Sequence, residues 1–315
     1  RQNEQVNETW ICDKGRMVYQ YTESPHRLVM PLVRKNGELV ETDWEDALKL
    51  AAEKLHNPLV LAGGRLSNED LFNLARLASE QQGRAILYSA MAGGDLVRQV
   101  GVGTGTNLKD MGRGDAILVV ASDLHQEAPL WWLRVKQAAQ RGATLIVLGG
   151  RETRLETYAT YVIRHPYGSA AETLAKFLPG SDLSSQDCSI SCEMVSAFAN
   201  AANAMIFFGS DGLDYAGSEA VARVAADLLV KTGHAGRTNN GLVPVWQHGN
   251  TQGAWELGFQ PSADLAADLK NAASVLIAAA DPAGDDPRLA EALDSAGFVV
   301  VQELFLTETA RRADV

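Results

Sequence analysis

Cysteine is scarce in this sequence, and basic residues are outnumbered by acidic ones. Three cysteines in 315 residues cannot form a disulfide framework, which favours a reducing, cytoplasmic setting. With 28 lysines and arginines against 39 acidic residues, the formal net charge is −11. Because a phosphate-binding surface needs an excess of basic side chains, we expect no nucleic-acid partner.

Long apolar runs are also missing. No stretch approaches the roughly 18 consecutive apolar residues that cross a bilayer, so we expect no membrane span. The first residues are polar, and no apolar signal segment follows them. The sequence begins at Arg1 without a methionine and stops at Ala313-Asp314-Val315 with no terminal signal, and we interpret it as part of a longer protein.

The residues that are present predict a large α/β protein. Hydrophobic residues make up 46% and charged residues 21%, and the length suffices for one large core or two ordinary ones. Short apolar runs alternate with amphipathic helices, which is typical of parallel strands buried on both faces. We therefore expect two parallel-rich, Rossmann-like sheets flanked by helices, after a small mixed N-terminal segment. The predicted strands are residues 59–62, 85–88, 116–121, 144–148, 204–208, 275–279 and 298–302.

Turn and cap signals divide the chain further. Asn36-Gly37 predicts a hairpin, and Thr42-Asp43-Trp44-Glu45 predicts a capping box that opens a helix. Ser67 is expected to cap the next helix. Two glycine-rich stretches, residues 90–114 and 233–261, are predicted as loops.

Common catalytic motifs do not occur. Gly101-Val102-Gly103-Thr104-Gly105 precedes a strand, whereas the dinucleotide fingerprint follows a strand and opens a helix. The sequence has no phosphate-binding loop of the Walker type, no nucleophile elbow and no zinc-like histidine spacing. Cys188 and Cys192, four residues apart on a predicted helix, are either buried structural residues or a metal or redox pair.

Cys12 differs from these two cysteines because of its neighbours. It lies in the stretch Trp10-Ile11-Cys12-Asp13-Lys14-Gly15-Arg16, where charged and small residues make an unusual setting for a cysteine that only packs. An iron–sulfur cluster needs four thiolate ligands, and this stretch supplies one. Taken alone, Cys12 would be an ordinary thiol.

The order of several motifs resembles that of molybdopterin oxidoreductases. Cys12-x-Lys14-Gly15-Arg16, followed by Ser24-Pro25-x-Arg27-Leu28, is similar to the segment after the iron–sulfur cysteines of that family. Asn250-x-Gln252-Gly253-Ala254 and Gln302-x-x-Phe305-x-Thr307-Glu308-Thr309-Ala310 resemble two later family signatures. Within the family, the chain is most similar to the large iron–sulfur subunits of bacterial NADH–quinone oxidoreductase, the respiratory complex I.

This resemblance implies a metal ligand and a set of partners. Cys12 would be the fourth ligand of a [4Fe–4S] cluster whose other three cysteines precede this sequence, and in this chain alone it would be a free thiol. Lys14 matches a family lysine that lies between cluster and pterin. The full protein would carry electrons from NADH to quinone beside flavin and iron–sulfur subunits, in the peripheral arm on the cytoplasmic side of the membrane. This chain alone would be inactive.

Departures from the family imply that the pterin site is lost. Gly149-Gly150-Arg151-Glu152-Thr153 stands where the family has Asp-Pro-Arg-x-Thr, and Asp123-Leu124-His125-Gln126-Glu127 stands for Asn-Pro-x-Glu. Tyr167-Gly168-Ser169-Ala170 replaces Pro-Gly-Thr-Asp, and Ala90-Met91-Ala92-Gly93 offers no metal-binding side chain beyond nearby Ser89. We therefore expect no bound molybdopterin. The alternatives are an active molybdenum or tungsten enzyme of the formate dehydrogenase type and a cofactor-free interaction module.

The resemblance also implies a discontinuous domain arrangement, in which the second α/β domain interrupts the first. We expect a remnant of the iron–sulfur domain at residues 1–45. The first α/β domain would comprise residues 46–110 plus 200–315, and the second residues 111–199.

Overall fold

The structure is a computed structural model that describes residues 2–181 and 192–315. These residues form two compact units. Unit 1 contains the described residues up to Met17 and those from Ala90 to Trp246, and unit 2 contains Val18–Ser89 and Gln247–Val315. Within the described ranges, no helix is both long and apolar enough to cross a bilayer.

The elements follow one another in a mostly alternating order. The strands are β1 Leu32–Lys35, β2 Glu38–Glu41, β3 Leu59–Gly63, β4 Arg84–Tyr88, β5 Ala116–Val120, β6 Thr144–Gly149, β7 Tyr161–Arg164, β8 Ala204–Phe208, β9 Gly241–Pro244, β10 Val275–Ala278 and β11 Val299–Gln302. The helices are α1 Asp13–Met17, α2 Trp44–Lys54, α3 Asn68–Glu80, α4 Gly94–Val100, α5 Leu124–Glu127, α6 Pro129–Gln140, α7 Ala170–Ala175, α8 Cys192–Ala199, α9 Tyr215–Lys231, α10 Thr251–Glu256, α11 Leu265–Asn271, α12 Pro282–Asp285 and α13 Pro287–Leu293. Short 3-10 turns occupy Val18–Glu23, Leu108–Asp110, Arg154–Tyr158 and Ala310–Arg312.

The local signals near the N-terminus are mostly confirmed. β1 and β2 pair antiparallel around Asn36 and Gly37, whose φ angles of 54° and 88° suit the mirror-image turns that hairpins prefer. Ser67 caps α3, but the capping box predicted before α2 is wrong by one residue. Asp43 is the cap, since its Oδ1 accepts the Asp46 amide at 2.8 Å, while Thr42 is still hydrogen bonded to the preceding segment.

Unit 1 contains a five-stranded parallel sheet in the order β7-β6-β5-β8-β9. Every residue of β5 and β8 is buried, which explains why their apolar runs were readable as central strands. The two outer strands were missed. β7 is only partly buried, and β9 begins with glycine and ends with proline inside a predicted loop, a composition that an edge strand tolerates.

Unit 2 contains a four-stranded parallel sheet in the order β11-β10-β3-β4, together with the β1-β2 hairpin. Arg34 ties the hairpin to the end of the chain, because its amide donates to Asp314 O at 2.8 Å and its Nε to Ala313 O at 3.0 Å. The expected α/β class with two parallel-rich sheets is thus confirmed.

The units differ from the predicted domain limits of 46–110 plus 200–315 and 111–199. β8 pairs with β5, and β9 pairs with β8, so residues 204–244 belong to the sheet of unit 1. Residues 94–100 also lie in unit 1, where α4 packs on α9 and β9. The physical reason is strand pairing, since a strand joins the unit whose sheet supplies its hydrogen bonds.

The same supersecondary pattern occurs once in each unit. β5-α5-α6-β6 and β10-α12-α13-β11 both start with a buried strand followed by an alanine of positive φ, Ala121 at 48° and Ala279 at 53°. An aspartate lies two residues later, Asp123 or Asp281, and precedes a one-turn helix. A proline then begins the second helix in both units.

Candidate functional site

Cys12 lies immediately before α1 and is partly buried. The Gly15 backbone N–H donates to Cys12 Sγ over 3.4 Å, and the Arg16 N–H donates to Cys12 O over 3.1 Å. The sulfur therefore receives an amide at the start of a helical turn. Hydrogen bonds to the ligating sulfurs are one of the features that tune iron–sulfur clusters.

Lys14, the residue predicted to lie near the cluster, follows Cys12 by two positions on α1. Lys14 and Arg16 are exposed on α1, and Lys14 makes no hydrogen bond or ion pair with any described residue. Cys192 is exposed at the start of α8, and Cys188 lies outside the described residues. Within residues 2–181 and 192–315, no group of three or more His, Cys, Asp or Glu side chains could hold a metal ion. The described residues therefore do not complete a metal site around Cys12.

The sheet of unit 1 has a topological switch point between β5 and β8. The chain proceeds from β5 towards β7 on one side and from β8 to β9 on the other. Ligands of open parallel sheets bind where the loops at the carboxyl ends of two such strands part. The loops after β5 and β8 meet here, because the Asp211 amide donates to Ala121 O over 2.9 Å.

Arg151, in the loop after β6, spans this switch point. Its Nη1 donates to Asp123 Oδ2 at 3.0 Å, in the loop after β5, and its Nε to Asp211 Oδ2 at 2.9 Å, in the loop after β8. The hydrogen bond to Asp123 and the attraction of Asp211 raise the pKa of the Arg151 guanidinium above its ordinary value. The cation therefore fills the position between the two loops with a side chain of the protein itself.

Glu127 is a second carboxyl group beside this ion pair. Burial raises the pKa of Glu127 above its ordinary value, and the negative charges of Asp211 and Asp123 add to that rise. A hydrogen bond from the Ser122 hydroxyl and the Arg151 charge oppose it. The switch point thus combines the guanidinium of Arg151 with the carboxyl groups of Asp123, Asp211 and Glu127.

An aromatic ring covers the same edge of the sheet. A Cβ added at Gly212, whose φ is +72°, would lie 1.9 Å from Tyr167 Cδ1, so the ring occupies the space beside this loop. His165, two residues earlier, is buried, and its Nδ1 lies 2.7 Å from Pro166 O. Because a carbonyl only accepts, Nδ1 carries the proton, and Nε2 has no hydrogen-bond partner among the described residues. The Tyr167 side chain therefore fills the space beside the loop after β8.

Unit 2 has its own switch point between β3 and β10. Here Asp281 Oδ1 accepts the Thr309 amide at 2.8 Å, and Thr309 Oγ1 accepts the Ala283 amide at 3.0 Å. Burial alone would raise the pKa of Asp281, but hydrogen bonds from Thr309, Thr307 and Gly284 outweigh it and lower that pKa. Thr309 is fully buried. The stretch that resembles the late family signature therefore seals this switch point.

The other family signature, which begins at Asn250, contacts the loop after β3. Asn250 Nδ2 donates to Leu66 O at 2.8 Å and to Asn68 Oδ1 at 2.9 Å. The Asn250 amide donates to Gly64 O at 2.9 Å, which joins the start of α10 to the loop after β3. Both late signatures thus have structural roles within unit 2.

The sequence did not reveal contacts between charged residues that are far apart in the chain. Asp211 contacts Arg151 across 60 residues, and Glu8 contacts Arg134 across a longer interval. The repeated spacing of an apolar run, an alanine and an aspartate two residues later, Ala121-x-Asp123 and Ala279-x-Asp281, is a sequence signal that could have located both switch points.

Two parallel sheets, each with a switch point between its inner strands, define an open α/β fold. The family model described as Molybdopterin oxidoreductase matches residues 27–315, and the chain belongs to that family.

Relatives fall into two functional groups. The chain is 25% identical to the alpha subunit of the F420-dependent formate dehydrogenase of Methanocaldococcus jannaschii, over 98% of this chain and 58% of that protein. It is 29% identical to the G subunit of the NADH-quinone oxidoreductase of Streptomyces coelicolor, over 99% of this chain and 43% of that protein. The chain thus spans about half the length of these relatives.

A solved structure supports the fold alone. The acetylene hydratase of Pelobacter acetylenicus superimposes with a TM-score of 0.70 at 16% identity, covering 100% of this chain and 58% of that chain.

Proposed function

We propose that this chain is the α/β scaffold of an iron–sulfur electron-transfer subunit, of the kind found as the G subunit in NADH–quinone oxidoreductase. The observation that carries the proposal is the setting of Cys12, whose sulfur accepts the Gly15 amide within a stretch typical of that subunit. Cys12 is one ligand of a [4Fe–4S] cluster, which supplies one-electron transfer when it is bound. The remaining three ligands come from outside the described residues.

The residues around the sulfur suit a bound cluster. The amide of Gly15 donates to Cys12 Sγ, and hydrogen bonds to the ligating sulfurs tune iron–sulfur clusters. Lys14 and Arg16 on the next turn place two exposed cations close along the chain, and these offset negative charge at the sulfur. Lys14 has this electrostatic role rather than a contact with pterin.

The pterin site is unused in this proposal. Arg151 already bridges the loops after β5 and β8, where a dinucleotide would need open loops and free donors. The signature stretch around Thr309 seals the switch point of unit 2 with internal hydrogen bonds. The chain by itself therefore carries no redox chemistry and serves as a scaffold.

The partners follow from the same proposal. The full protein works beside the flavin and iron–sulfur subunits of the peripheral arm, on the cytoplasmic side of the membrane, and passes electrons on the way from NADH to quinone. The relatives that are G subunits of NADH-quinone oxidoreductase support this assignment at 26–29% identity over 99% of the chain.

Metal analysis of the full-length protein tests the cluster. We expect Cys12→Ser to remove about four iron atoms per protein, the content of one [4Fe–4S] cluster. Cys192→Ser is the matched control, because Cys192 is also a free cysteine but lies at the exposed start of α8. Iron content that stays the same after Cys12→Ser would refute the ligand assignment.

A second candidate is an active molybdenum or tungsten enzyme of the formate dehydrogenase type. It is favoured by the relatives that are alpha subunits of F420-dependent formate dehydrogenases, which match 98% of the chain. The same metal analysis separates the two candidates, since our proposal expects neither molybdenum nor tungsten. One such metal per protein with a bound pterin would establish the second candidate.

A further inference from the structure

The residues before Cys12 form a compact turn that is closed by its own backbone. Asn3 O accepts the amides of Asn7 at 2.9 Å and Glu8 at 2.7 Å. Glu8 has a φ of 49°, a left-handed conformation that is uncommon for a residue with a side chain and costs backbone strain. A contact that fixes Glu8 would offset this strain.

Arg134 on α6 supplies that contact. Its side chain is only 4% exposed, its Nη1 lies 3.2 Å from Glu8 Oε1, and its Nε donates to Val6 O at 3.2 Å. One guanidinium thus holds both a side chain and a backbone carbonyl of the turn. Because Arg has a rigid, planar set of donors, it fixes the orientation of the turn as well as its position.

The surroundings of Arg134 make Glu8 hard to replace. Arg134 Nη1 also donates to Gln137 Oε1 at 3.1 Å, and Nη2 has no hydrogen-bond partner among the described residues. Glu8 is the one carboxylate that pairs with Arg134 in the described part of the chain. Removing that carboxylate would leave a buried charge unpaired, which is strongly unfavourable.

A second cation reinforces the anchor from another element. Lys109 Nζ lies 3.4 Å from Glu8 Oε1. The turn that carries Lys109 is itself attached to α6, because Arg141 donates from Nε to Met111 O and from Nη2 to Leu108 O, both at 2.9 Å. Glu8 therefore faces two cations whose positions α6 controls.

The contact between Arg134 and Glu8 also restricts Cys12, because a short stretch with its own hydrogen bonds joins Glu8 to Cys12. Asn7 O accepts the Trp10 amide at 2.8 Å, and Asn7 Nδ2 donates to Trp10 O at 2.8 Å. Cys12 follows Glu8 by four residues, which span at most about 14 Å even when fully extended. Holding Glu8 therefore limits where the Cys12 sulfur can lie.

We propose that Arg134 is a positioning residue for Cys12, which holds the Glu8 turn on α6 and thereby presents the Cys12 thiolate in a fixed place to its metal cluster. The part that concerns the cluster rests on the proposed function. The part that concerns the thiol can be tested on this chain alone.

Hydrogen exchange and thiol alkylation test the anchor in the 315-residue chain. We expect Glu8→Gln and Arg134→Gln each to raise the exchange rates of the amides of residues 6–11 about tenfold or more, because a hydrogen bond to a charged group is lost. Alkylation of Cys12 should accelerate in both variants, while exposed Cys192, mapped in the same digest, keeps its rate.

Glu4→Gln is the matched control, since it removes the same charge from the same turn but Glu4 contacts Gln2 rather than Arg134. It should leave both readouts unchanged. Protected amides in β5 and β6 report whether each variant is still folded. Glu8→Gln with wild-type exchange and alkylation rates would overturn the proposal.

The pH dependence adds a readout that loss of packing would not produce. The hydrogen bond from Arg134, with the charge of Lys109, lowers the pKa of Glu8 below its ordinary value of 4.5. Protection of residues 6–11 should therefore be complete above 4.5 and be lost as the pH falls through the lowered value. Glu8→Gln should abolish this step, and a step that persists in that variant would contradict the role of Glu8.

Spectroscopy of the iron-loaded full-length protein completes the test. Glu8→Gln should change the electron paramagnetic resonance spectrum of the Cys12-dependent cluster, and Glu4→Gln should not. A spectrum unchanged in Glu8→Gln would overturn the positioning role. A wild-type protein without a Cys12-dependent cluster would instead refute the proposed function, while exchange and alkylation still decide the anchor.

Discussion

At the switch point of unit 1, Arg151, whose side chain is 43% exposed, holds Asp123 and Asp211 by ion pairs. At the switch point of unit 2, fully buried Thr309 exchanges hydrogen bonds with Asp281 and the amide of Ala283. Asp123 is buried, but solvent screens the exposed Arg151 end of the ion pair, and pairs screened in this way contribute about 0–1 kcal/mol. A buried group left without its partner costs about 1–3 kcal/mol. We therefore expect the first closure to be the weaker of the two.

The backbone does not account for this difference. Both switch points have an alanine of positive φ after one strand, and an aspartate two residues later. The side chains that reach the aspartate decide how firmly each site is closed. A common fold element thus carries an ion pair in one unit and buried hydrogen bonds in the other, which agrees with function residing in sites rather than in folds.

Substitution of one glycine in each unit should have the largest effect on stability. A Cβ at Gly63 would lie 2.0 Å from Ala279 O, and one at Gly209 would lie 2.6 Å from Ala121 O. We expect Gly63→Ala to lower the free energy of unfolding of unit 2 by about 3 kcal/mol or more, and Gly209→Ala that of unit 1 by about 1–3 kcal/mol. Hydrogen exchange of the strand amides measures each unit separately, and a larger loss for Gly209→Ala would reverse the ranking.

A smaller effect concerns the two equivalent aspartates. Asp281→Ala removes the acceptor of the buried Thr309 amide, and we expect a loss of about 3 kcal/mol in unit 2. Asp123→Ala removes the buried end of an ion pair and a helix-cap contact to the His125 amide at 3.2 Å. Because exposed Arg151 keeps its ion pair with Asp211, we expect a loss of about 1 kcal/mol in unit 1. Equal losses, measured by exchange of the β10 and β5 amides, would show that the two closures are equally strong.

The smallest effect is a pH dependence of opposite sign in the two units. Because the pKa of Glu127 is raised, unit 1 binds more protons when it is folded than when it is unfolded. The stability that Glu127 adds to unit 1 is therefore complete below pH 4.5 and is lost as the pH rises through the raised pKa. Because the pKa of Asp281 is lowered, its contribution is full above 3.8 and is lost as pH falls further.

Glu127→Gln is the variant that isolates this term, since glutamine stays neutral at every pH. In this variant, the stability of unit 1 that is measured by hydrogen exchange of the β5 amides should no longer show the pH dependence that Glu127 causes in the wild type between about pH 4 and 7. The β10 amides of the same variant serve as the internal control. A β5 profile that is identical in wild type and variant would show that Glu127 does not titrate with folding.

The sequence predicted the strands that have continuous apolar runs, including the partly buried β4, β6 and β11, and it missed β7 and β9. β3, β5, β8 and β10 are buried along their whole length, and their continuous apolar runs were recognisable. β9 was taken as part of a loop because Gly241 and Pro244 bound it, and α4 lay unnoticed in the glycine-rich stretch 90–114. Strand pairing fixes the limits of the units. It depends on contacts between residues that are distant in the chain, so the local pattern of residues does not predict it.

The candidate site shows the same limit. The prediction that Cys12 is special came from its neighbours and from a family resemblance, and both were local. The Arg134–Glu8 and Arg151–Asp211 contacts join residues that are far apart in the chain, so no local spacing could indicate them. Exposure of the side chains, which separates the weak from the strong switch point, also becomes known only once the chain is folded.

The pairing of β3 with β10 has a consequence for biosynthesis. Leu59 of β3 pairs with Val275 of β10, so the ribosome must add more than about 200 residues before that edge finds its partner. At about 5–20 residues per second this interval lasts roughly 10–40 s. During that time β3 presents an unpaired, wholly apolar edge, the kind of surface that invites aggregation. Nascent chains of this protein should therefore depend on chaperones until β10 has been made.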